Sequence, residues 1–324
     1  MCTAVSYKTK NHYFGRNLDL GYSYDETVTI TPRNFPFHFR RAGDLKSHYA
    51  MIGMAYVFQD YPLYYEATNE AGLSMAGLNF PGNADYKPES GDKDNISPFE
   101  LIPWIIGRCR DVEEAERLLG RINLVKLPFH ETMPLAPLHW MISDRTRSIV
   151  VECMKSGLNI YDNPVGVLTN NPSFDYQLLR LNDYMSLSSK NPENRFSRDL
   201  ELKTYCCGMG ALGLPGDSSS ASRFVKAAFT KLNSVCDGTE AGSVSQFFHI
   251  LGSVAMQRGC VDTGDGTYDI TIYSSCCNTD KGIYYYTTYE NSQITGVDMH
   301  RENLDGNSLI SYPMMTGQRI RMQN

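Results

Sequence analysis

The chain has 324 residues, of which 42% are hydrophobic and 20% charged, the composition of a folded protein with a sizeable core. Its formal net charge of −6 and pI near 5.7 argue against a nucleic-acid-binding protein, because such proteins carry a basic surplus or stripe. No run of 18 or more apolar residues is present, so we expect no transmembrane helix and no membrane insertion.

The start of the chain lacks the apolar stretch and small-residue cleavage site of a secretory signal, so we expect a cytoplasmic protein. The nine cysteines agree with this expectation. Their number is odd, and two pairs, Cys206–Cys207 and Cys276–Cys277, are adjacent, which suits neither a disulfide framework nor a metal site. We interpret most of them as reduced, buried side chains.

The first quarter of the chain alternates β-branched, aromatic and apolar runs with Gly, Pro, Asn and Asp, a pattern typical of strands. The predicted strands are 4–7, 27–31, 49–58, 63–68 and 73–78. Their connections are too short for crossover helices, which favours hairpins and an antiparallel sheet.

Helix signals follow. Ser97, Pro98 and Glu100 form a capping-box start, and Asp111 begins a second one that Gly120 ends. Further along, the pattern predicts strands over 138–142, 148–152, 268–274 and 282–289, and helices over 176–185, from about 218–222 and over 244–256. Without linkers or repeats, this order predicts one α+β domain over residues 1–324, with helices on the outer faces of antiparallel sheets.

Cys2 is the residue with the clearest chemical potential. Removal of Met1 would leave a residue that carries both a thiol and a free α-amine. An α-amine titrates at about 7.7–8.0, so part of it is unprotonated at neutral pH and is able to act as a base. A thiol beside a base is an activated nucleophile. The dipeptide alone is weak evidence, since many chains begin with Met-Cys by chance.

The segment Gly15–Asp19 would return beside Cys2 if it forms a hairpin with the first strand. Arg16 would then favour the thiolate, and Asp19 would hold or orient the amine. The alternative is a surface Arg–Asp pair of little energetic value.

Two asparagine-containing segments have the same ambiguity. Asn79 ends a strand-like run, where its amide could donate to an oxyanion, and Asn170 and Asn171 follow Leu168. The alternative for each is a turn-forming residue.

The stretch Gly208–Gly213 matches GxGxxG, but no βαβ pattern precedes it and Pro215 breaks the helix that would receive a pyrophosphate, so we interpret it as a flexible loop.

Arg223 lies in the first turns of the next helix, where the helix dipole disfavours a cation, so we expect it to have a partner or a task. No histidine lies in a Cys–His protease signature. His139 lies in an apolar run, and we predict that it is a core residue with satisfied hydrogen bonds.

From Met1 to about Pro313, the chain resembles the choloylglycine hydrolase family. The resemblance rests on the stretches described above and on four longer segments, DYPLYYEATNEAGLSMAGLNFPG, PLHWMISD, GVLTNNPSFDYQ and LPGDSSSASRFVKA. Within the family, the chain is similar to bile salt hydrolases of lactic-acid bacteria. The resemblance implies an N-terminal-nucleophile hydrolase with a four-layer αββα fold of two stacked antiparallel sheets. It implies hydrolysis of the amide in glycine- and taurine-conjugated bile salts through an acyl-thioester, with no metal or organic cofactor, and a homotetramer.

The resemblance also assigns roles to residues. It implies Cys2 as nucleophile and base, Arg16 beside the thiol, Asp19 on the amine and Asn79 as oxyanion donor. Asn170 would orient the amine and the substrate, and Arg223 would complete the polar cluster. The walls of an apolar pocket would include Leu18, Phe58, Phe129 and Met133. Since only Met1 precedes Cys2, we expect methionine removal to suffice for maturation.

Three alternatives remain open at this level. A penicillin V acylase would use the same machinery, although that branch commonly has Tyr where this chain has Asn79. A non-catalytic amphiphile-binding protein would keep Cys2 capped, and a Cys–His protease would need a histidine signature that is missing. The choice of Asn170 over Asn171, the preference for glycine or taurine, and the role of Cys206 and Cys207 stay open.

Overall fold

A computed structural model describes residues 1–324. Eighteen strands are numbered here along the chain: β1 (Cys2–Lys8), β2 (His12–Leu20), β3 (Thr27–Thr31), β4 (Phe37–Phe39), β5 (Gly43–Leu45), β6 (Met51–Phe58), β7 (Tyr61–Asn69), β8 (Ser74–Asn79), β9 (Asp94–Ile96), β10 (Ile122–Leu124), β11 (Leu138–Ser143), β12 (Ser148–Met154), β13 (Gly157–Asp162), β14 (Val167–Leu168), β15 (Ile270–Asn278), β16 (Ile283–Thr288), β17 (Asn291–Asp298) and β18 (Ile310–Pro313). The five α-helices are α1 (Leu101–Ile106), α2 (Val112–Leu119), α3 (Phe174–Arg180), α4 (Ser220–Asn233) and α5 (Glu240–Gly252).

Two large sheets dominate the molecule, and every neighbouring pair of strands in them is antiparallel. The six-stranded sheet has the order β14-β1-β2-β15-β16-β17, and the eight-stranded sheet has the order β13-β12-β11-β8-β7-β6-β3-β18. Hairpins such as β1–β2, β6–β7 and β7–β8 form parts of both sheets, as the short connections of the first quarter predicted, whereas β2–β15 and β8–β11 pair strands that are far apart in the chain.

The helices cover the outer faces of the sheets. Helices α4 and α5 contact β1, β2 and β15 of the six-stranded sheet, whereas α1 contacts β7 and β8 of the eight-stranded sheet. Side chains alternate between the two faces of each strand, so the protein has one hydrophobic core between the sheets and another between the eight-stranded sheet and its helices. On β11, Met141 packs between the sheets, while Trp140 and Ile142 face the helices on the other side. The fold is therefore the expected four-layer αββα arrangement.

Sequence signals place several element boundaries correctly. The carboxylate of Glu100 accepts the backbone N–H of Ser97 at 2.9 Å, and Asp111 accepts that of Glu114 at 2.9 Å. These local bonds satisfy N–H groups that a helix start leaves unpaired. At the start of α4, the carboxylate of Asp217 accepts the Ser219 N–H at 2.9 Å.

Other boundaries were wrong. The helix predicted over 244–256 is Glu240–Gly252, because Thr239 caps it by accepting the Gly242 N–H at 3.0 Å. The helix predicted over 176–185 is Phe174–Arg180, followed by a 3-10 turn over Leu181–Tyr184. The strand predicted over 268–274 is Ile270–Asn278. None of the helices is both long and apolar enough to cross a bilayer.

Candidate active site

The β1–β2 hairpin brings Cys2 and the 16–19 segment together, as the sequence predicted. Cys2 lies opposite Leu18, and Ala4 lies opposite Arg16. Residues directly opposite each other in an antiparallel pair share one face of the sheet, so Cys2, Leu18 and Arg16 face the eight-stranded sheet. Asp19 takes the other face, toward the helices. The alternation therefore places a cation on the thiol side and a carboxylate on the helix side.

Arg16 is buried between the two sheets. Its Nη1 donates to the carbonyls of Tyr65 at 3.1 Å and Gly77 at 2.5 Å, and its Nε lies 3.9 Å from a carboxylate oxygen of Glu66. Burial alone would lower the pKa of Arg16, but attraction to negative charge on Cys2, and to Tyr273 and Glu66, raises it. The guanidinium therefore keeps its positive charge, on the same face of the hairpin as the Cys2 side chain.

Asp19 is fully buried, and its two carboxylate oxygens differ. Oδ1 accepts from Thr271 Oγ1 at 2.7 Å, while Oδ2 has no hydrogen-bond partner and lies 3.9 Å from Arg223 Nη1. Burial raises the pKa of Asp19, and the charge of Arg223 opposes that rise. The amine of Met1 donates to the backbone carbonyl of Asp19 and, at 3.3 Å, to Asp269. The residue whose backbone carbonyl binds the N-terminal amine thus also has a buried carboxylate oxygen without a hydrogen-bond partner.

Asn170 connects most of the site. Its Oδ1 accepts the Cys2 N–H at 2.8 Å and Arg223 Nη2 at 2.8 Å, and its Nδ2 donates to the Asn79 carbonyl at 2.7 Å. Its own backbone is held by Ser220, whose Oγ accepts the Asn170 N–H at 2.8 Å. The neighbouring Asn171 instead points to the carbonyl of Pro81. Of the two asparagines, only Asn170 contacts Cys2.

Arg223 is buried in the first turn of α4 and has a full set of acceptors. Nη1 donates to the Cys2 carbonyl and to Thr3 Oγ1, both at 2.6 Å, and Nε donates to the Ser218 carbonyl at 3.1 Å. Burial lowers the pKa of Arg223, and the charge of Asp19 opposes that shift. These bonds offset the cost of a cation at a helix N-terminus and hold the Cys2 carbonyl and the Thr3 side chain in place.

Asn79 is the last residue of β8, and its side chain is exposed. Its backbone carbonyl is held by Asn170, so the exposed amide lies at the rim of the polar cluster with its donors free to reach a bound molecule.

An apolar cavity of about 210 Å³ adjoins this cluster. Gly77 and Leu138 belong to its lining, and they connect it with the site because Arg16 donates to the Gly77 carbonyl and Leu138 lies opposite Asn79. The remaining lining residues are Tyr56, Leu63, Tyr64, Tyr65, Pro98, Phe99, Ile102, Phe129, Met133, Pro134, Leu135 and Ala136. A lining of this kind suits an apolar ligand.

The four pocket residues expected from the sequence fall into three positions. Phe129 and Met133 line the cavity directly. Phe58 packs edge-on against Phe129, with 6.0 Å between ring centroids. Leu18 lies outside this lining, buried in the core between the sheets and opposite Cys2.

The glycine-rich loop is exposed around Cys206 and Cys207 and contains one 3-10 turn, Met209–Ala211. Gly208 and Gly213 have φ angles of +86° and +92°, which the absence of a side chain permits. No group of three or more His, Cys, Asp or Glu side chains is placed to share a metal ion.

Several contacts of the site were not anticipated from the sequence. Thr271 holds Asp19, Glu66 faces Arg16, and Gln177 donates to the Asn170 carbonyl at 2.6 Å. Thr271 reaches Asp19 through the β2–β15 pairing, which carries a register shift between Thr271 and Tyr273, and Asp269, the residue before β15, accepts from the Met1 amine. No local signal in the sequence predicts such a long-range pairing.

Comparison with known proteins identifies the family. The model of the linear amide C–N hydrolases, choloylglycine hydrolase family, matches residues 2–312. The chain belongs to the choloylglycine hydrolase family. It is therefore an enzyme of the linear amide C–N hydrolase class, as its motifs predicted.

Relatives and solved structures agree with this assignment. The chain is 58% identical over 314 residues to a bile salt hydrolase/transferase of Lactiplantibacillus plantarum, covering 97% of each chain, and 42% identical to one of Clostridium perfringens, covering 96% of each. The structure of the C2A mutant of conjugated bile acid hydrolase from Clostridium perfringens superposes with a TM-score of 0.93 over 100% of both chains, at 41% identity. Penicillin V acylase from Agrobacterium tumefaciens shares the fold, with a TM-score of 0.74 at 20% identity over 96% of this chain and 90% of that one.

Proposed function

We propose that this protein hydrolyses the amide bond of glycine- and taurine-conjugated bile salts, with Cys2 as the nucleophile. The observation that carries the proposal is the cluster around Cys2. Its backbone nitrogen donates to Asn170, Arg16 lies on its thiol face, and Asp19 has a free buried carboxylate oxygen beside the N-terminus. Two relatives that match nearly the whole chain are named bile salt hydrolase/transferase, which supports the substrate class.

Maturation comes first. Removal of Met1 turns the Cys2 backbone N–H into a primary α-amine, at a nitrogen that already has Asn170 Oδ1 as an acceptor at 2.8 Å. The amine accepts the thiol proton, and the resulting ammonium keeps Asn170 Oδ1 as an acceptor. We assign the unpartnered carboxylate oxygen of Asp19 to it as a second acceptor. The positive charge of Arg16 favours the thiolate that remains.

In the first half of the reaction, the Cys2 sulfur attacks the amide carbonyl. A C–S bond forms, and negative charge develops on the carbonyl oxygen. The exposed amide of Asn79 and a backbone N–H donate to that oxygen. The tetrahedral intermediate collapses as the C–N bond breaks, and the ammonium gives its proton to the departing nitrogen. Glycine or taurine leaves, and the bile acid stays as a thioester on Cys2.

In the second half, water attacks the thioester carbonyl and the α-amine takes its proton. The C–S bond breaks, the bile acid leaves, and the thiol and amine return to their starting state. The apolar cavity beside Gly77 and Leu138 would hold the steroid during both halves. Phe129, Met133 and Phe58 form or support one wall of it, and Leu18 lies closer to the thiol.

A second reaction of the same thioester is favoured by the names of the two relatives, which include transferase activity. An amino acid amine would attack the thioester carbonyl in place of water. A new amide C–N bond would form as the C–S bond breaks, and the amine proton would pass to the N-terminal amine. Water and amines would then compete for one intermediate.

We also propose assembly into a homotetramer. The arm over residues 186–217 has little regular structure and exposes large apolar side chains, among them Phe196 at 82% and Tyr205 at 80%. Exposed apolar patches of this kind mark association surfaces. The arrangement as one domain and the cytoplasmic location stay predictions from the sequence.

The test of the proposed function is amino-acid release from glycocholate and taurocholate, with penicillin V as a competing substrate class. The purified enzyme should release glycine and taurine, and the ratio of the two kcat/KM values gives its preference. Rapid quenching followed by intact mass should show the bile acid added to the chain with loss of water. Faster turnover of penicillin V would instead assign the enzyme to the acylase branch.

A further inference from the structure

His139 is buried in β11, and its side chain spans the two sheets next to the proposed site. Its Nε2 lies 2.8 Å from the carbonyl oxygen of Thr169, the residue before Asn170. Its ring stacks on Phe80, the residue after Asn79, with 4.2 Å between centroids and an interplanar angle of 6°. One imidazole therefore contacts the chain neighbours of both asparagines.

The hydrogen bonds of His139 fix its orientation. A carbonyl oxygen only accepts, so Nε2 must carry a proton and donate to Thr169. Nδ1 lies 3.0 Å from Glu152 Oε1, which also accepts the Phe174 N–H at 3.0 Å. Glu152 thus holds the ring with Nε2 directed at Thr169.

We infer that His139 is a positioning residue for the amide hydrolysis, holding Asn170 through the Thr169 carbonyl and Asn79 through the face of Phe80. The inference rests on the proposed function, because it assigns a purpose to the two asparagines. The two asparagines also contact each other directly, because Asn170 Nδ2 donates to the Asn79 carbonyl at 2.7 Å. Oxyanion donors and amine acceptors need placement to well under 1 Å, which a rigid, fully bonded ring provides.

Two substitutions separate the two hydrogen bonds of His139. In His139→Gln the amide nitrogen occupies the place of Nε2 and keeps the bond to Thr169. In His139→Asn the amide nitrogen occupies the place of Nδ1, which keeps the bond to Glu152 and loses Thr169. Both side chains are polar, and neither stacks as imidazole does, so the pair is matched for the loss of the ring.

The experiment measures kcat and KM for glycocholate, with activity expressed per folded chain, the folded fraction of each variant being taken from its thermal unfolding curve at the assay temperature. We expect His139→Asn to lower kcat by about 30–100-fold with KM changed by less than about 3-fold, and His139→Gln to retain at least about ten times more activity than His139→Asn.

Ile142→Ala on the same strand is the matched control, because Ile142 is buried on the opposite face and contacts the other core. It should lower Tm and leave kcat per folded chain within about 2-fold. Equal activities of His139→Gln and His139→Asn, or a kcat loss in Ile142→Ala as large as in His139→Asn, would overturn the inference. Lack of glycocholate turnover by the wild-type enzyme would instead overturn the proposed function.

Discussion

The backbone nitrogen of Cys2 donates to Asn170 Oδ1 at 2.8 Å, although 168 positions separate the two residues in the chain. The same oxygen accepts from Arg223, and the amide nitrogen of Asn170 holds the Asn79 carbonyl. One side chain thus joins the N-terminus, the buried cation and the strand end that carries the proposed oxyanion donor. We therefore expect substitution of Asn170 to affect all three parts of the site.

Asn170→Ala should lower kcat by about 10²–10³-fold, since it removes the acceptor of the amine and the donor that holds Asn79. Asn171→Ala is the control, because Asn171 only donates to the Pro81 carbonyl and should keep activity within about 3-fold. Steady-state kinetics with glycocholate check both variants. Equal losses in the two variants would show that the site does not depend on the contact with Cys2.

Phe129→Ala should raise KM for conjugated bile salts by about 10-fold with little change in kcat, because the ring lines the apolar cavity away from the reacting bond. Initial rates over a range of glycocholate concentrations measure this. Leu232→Ala, on the exposed side of α4, is the control and should leave KM unchanged. An unaltered KM in Phe129→Ala would remove this cavity from the account of substrate binding.

The tetramer predicts a solution mass near four times the chain mass of 36.5 kDa, measured by light scattering after size-exclusion chromatography. Phe196→Ser combined with Tyr205→Ser should reduce the assembly to smaller species, because both side chains are exposed apolar surface on the arm. Val235→Ser, at an 86% exposed position after α4, should leave the mass unchanged. A monomeric wild-type protein would disprove the tetramer.

His12 should make the fold sensitive to acid. It is buried, and its ring nitrogens bond to Ser6 Oγ and Thr279 Oγ1, both at 2.9 Å. Burial lowers the pKa of His12 from 6.5 to about 4, against the opposing charges of Asp280 and Asp144. The unfolded chain therefore binds a proton before the folded chain does. The stability that this difference contributes is present above pH 6.5 and is lost as the pH falls toward 4.

The measurement is urea unfolding of the wild type and His12→Gln at pH 7.0 and pH 4.5. The wild type should lose about 2 kcal/mol more between the two pH values than the variant does, since other titrating groups contribute equally to both proteins. Identical losses would show that His12 is not held neutral.

The sequence predicted best what is local. The hairpin that places Arg16 and Asp19 beside Cys2 needs only a short turn, and the starts of the helices at Ser97 and Asp111 depend on bonds three residues apart. The end strands β17 and β18 were missed, because β17 is mostly exposed and lacks an apolar run.

Long-range pairs were beyond the reach of pattern reasoning. The roles of Asn170 and Arg223 in the site were predicted from the family resemblance. Taken as isolated residues, Asn170 is typical of a turn, and Arg223 is a cation at an unfavourable helix position. The contacts of Thr271 with Asp19 and of Glu66 with Arg16 were not predicted. They depend on which strands become neighbours and on which face of the sheet each residue lies. His139 was read correctly as a satisfied core residue, but its contacts with Thr169 and Phe80 required the packing of the two sheets.

We propose that the Cys2 thiol needs the free α-amine of the same residue, and one preparation of the protein tests whether that amine is required. The chain is expressed behind an N-terminal tag whose protease cleavage leaves Cys2 as the first residue, and intact mass confirms each form. The thiol is present in both forms, so only the amine differs. We expect no glycocholate hydrolysis before cleavage, full hydrolysis after cleavage, and none in either form of Cys2→Ser. Activity of the tagged form with its peptide bond to Cys2 intact would show that the free amine is not required.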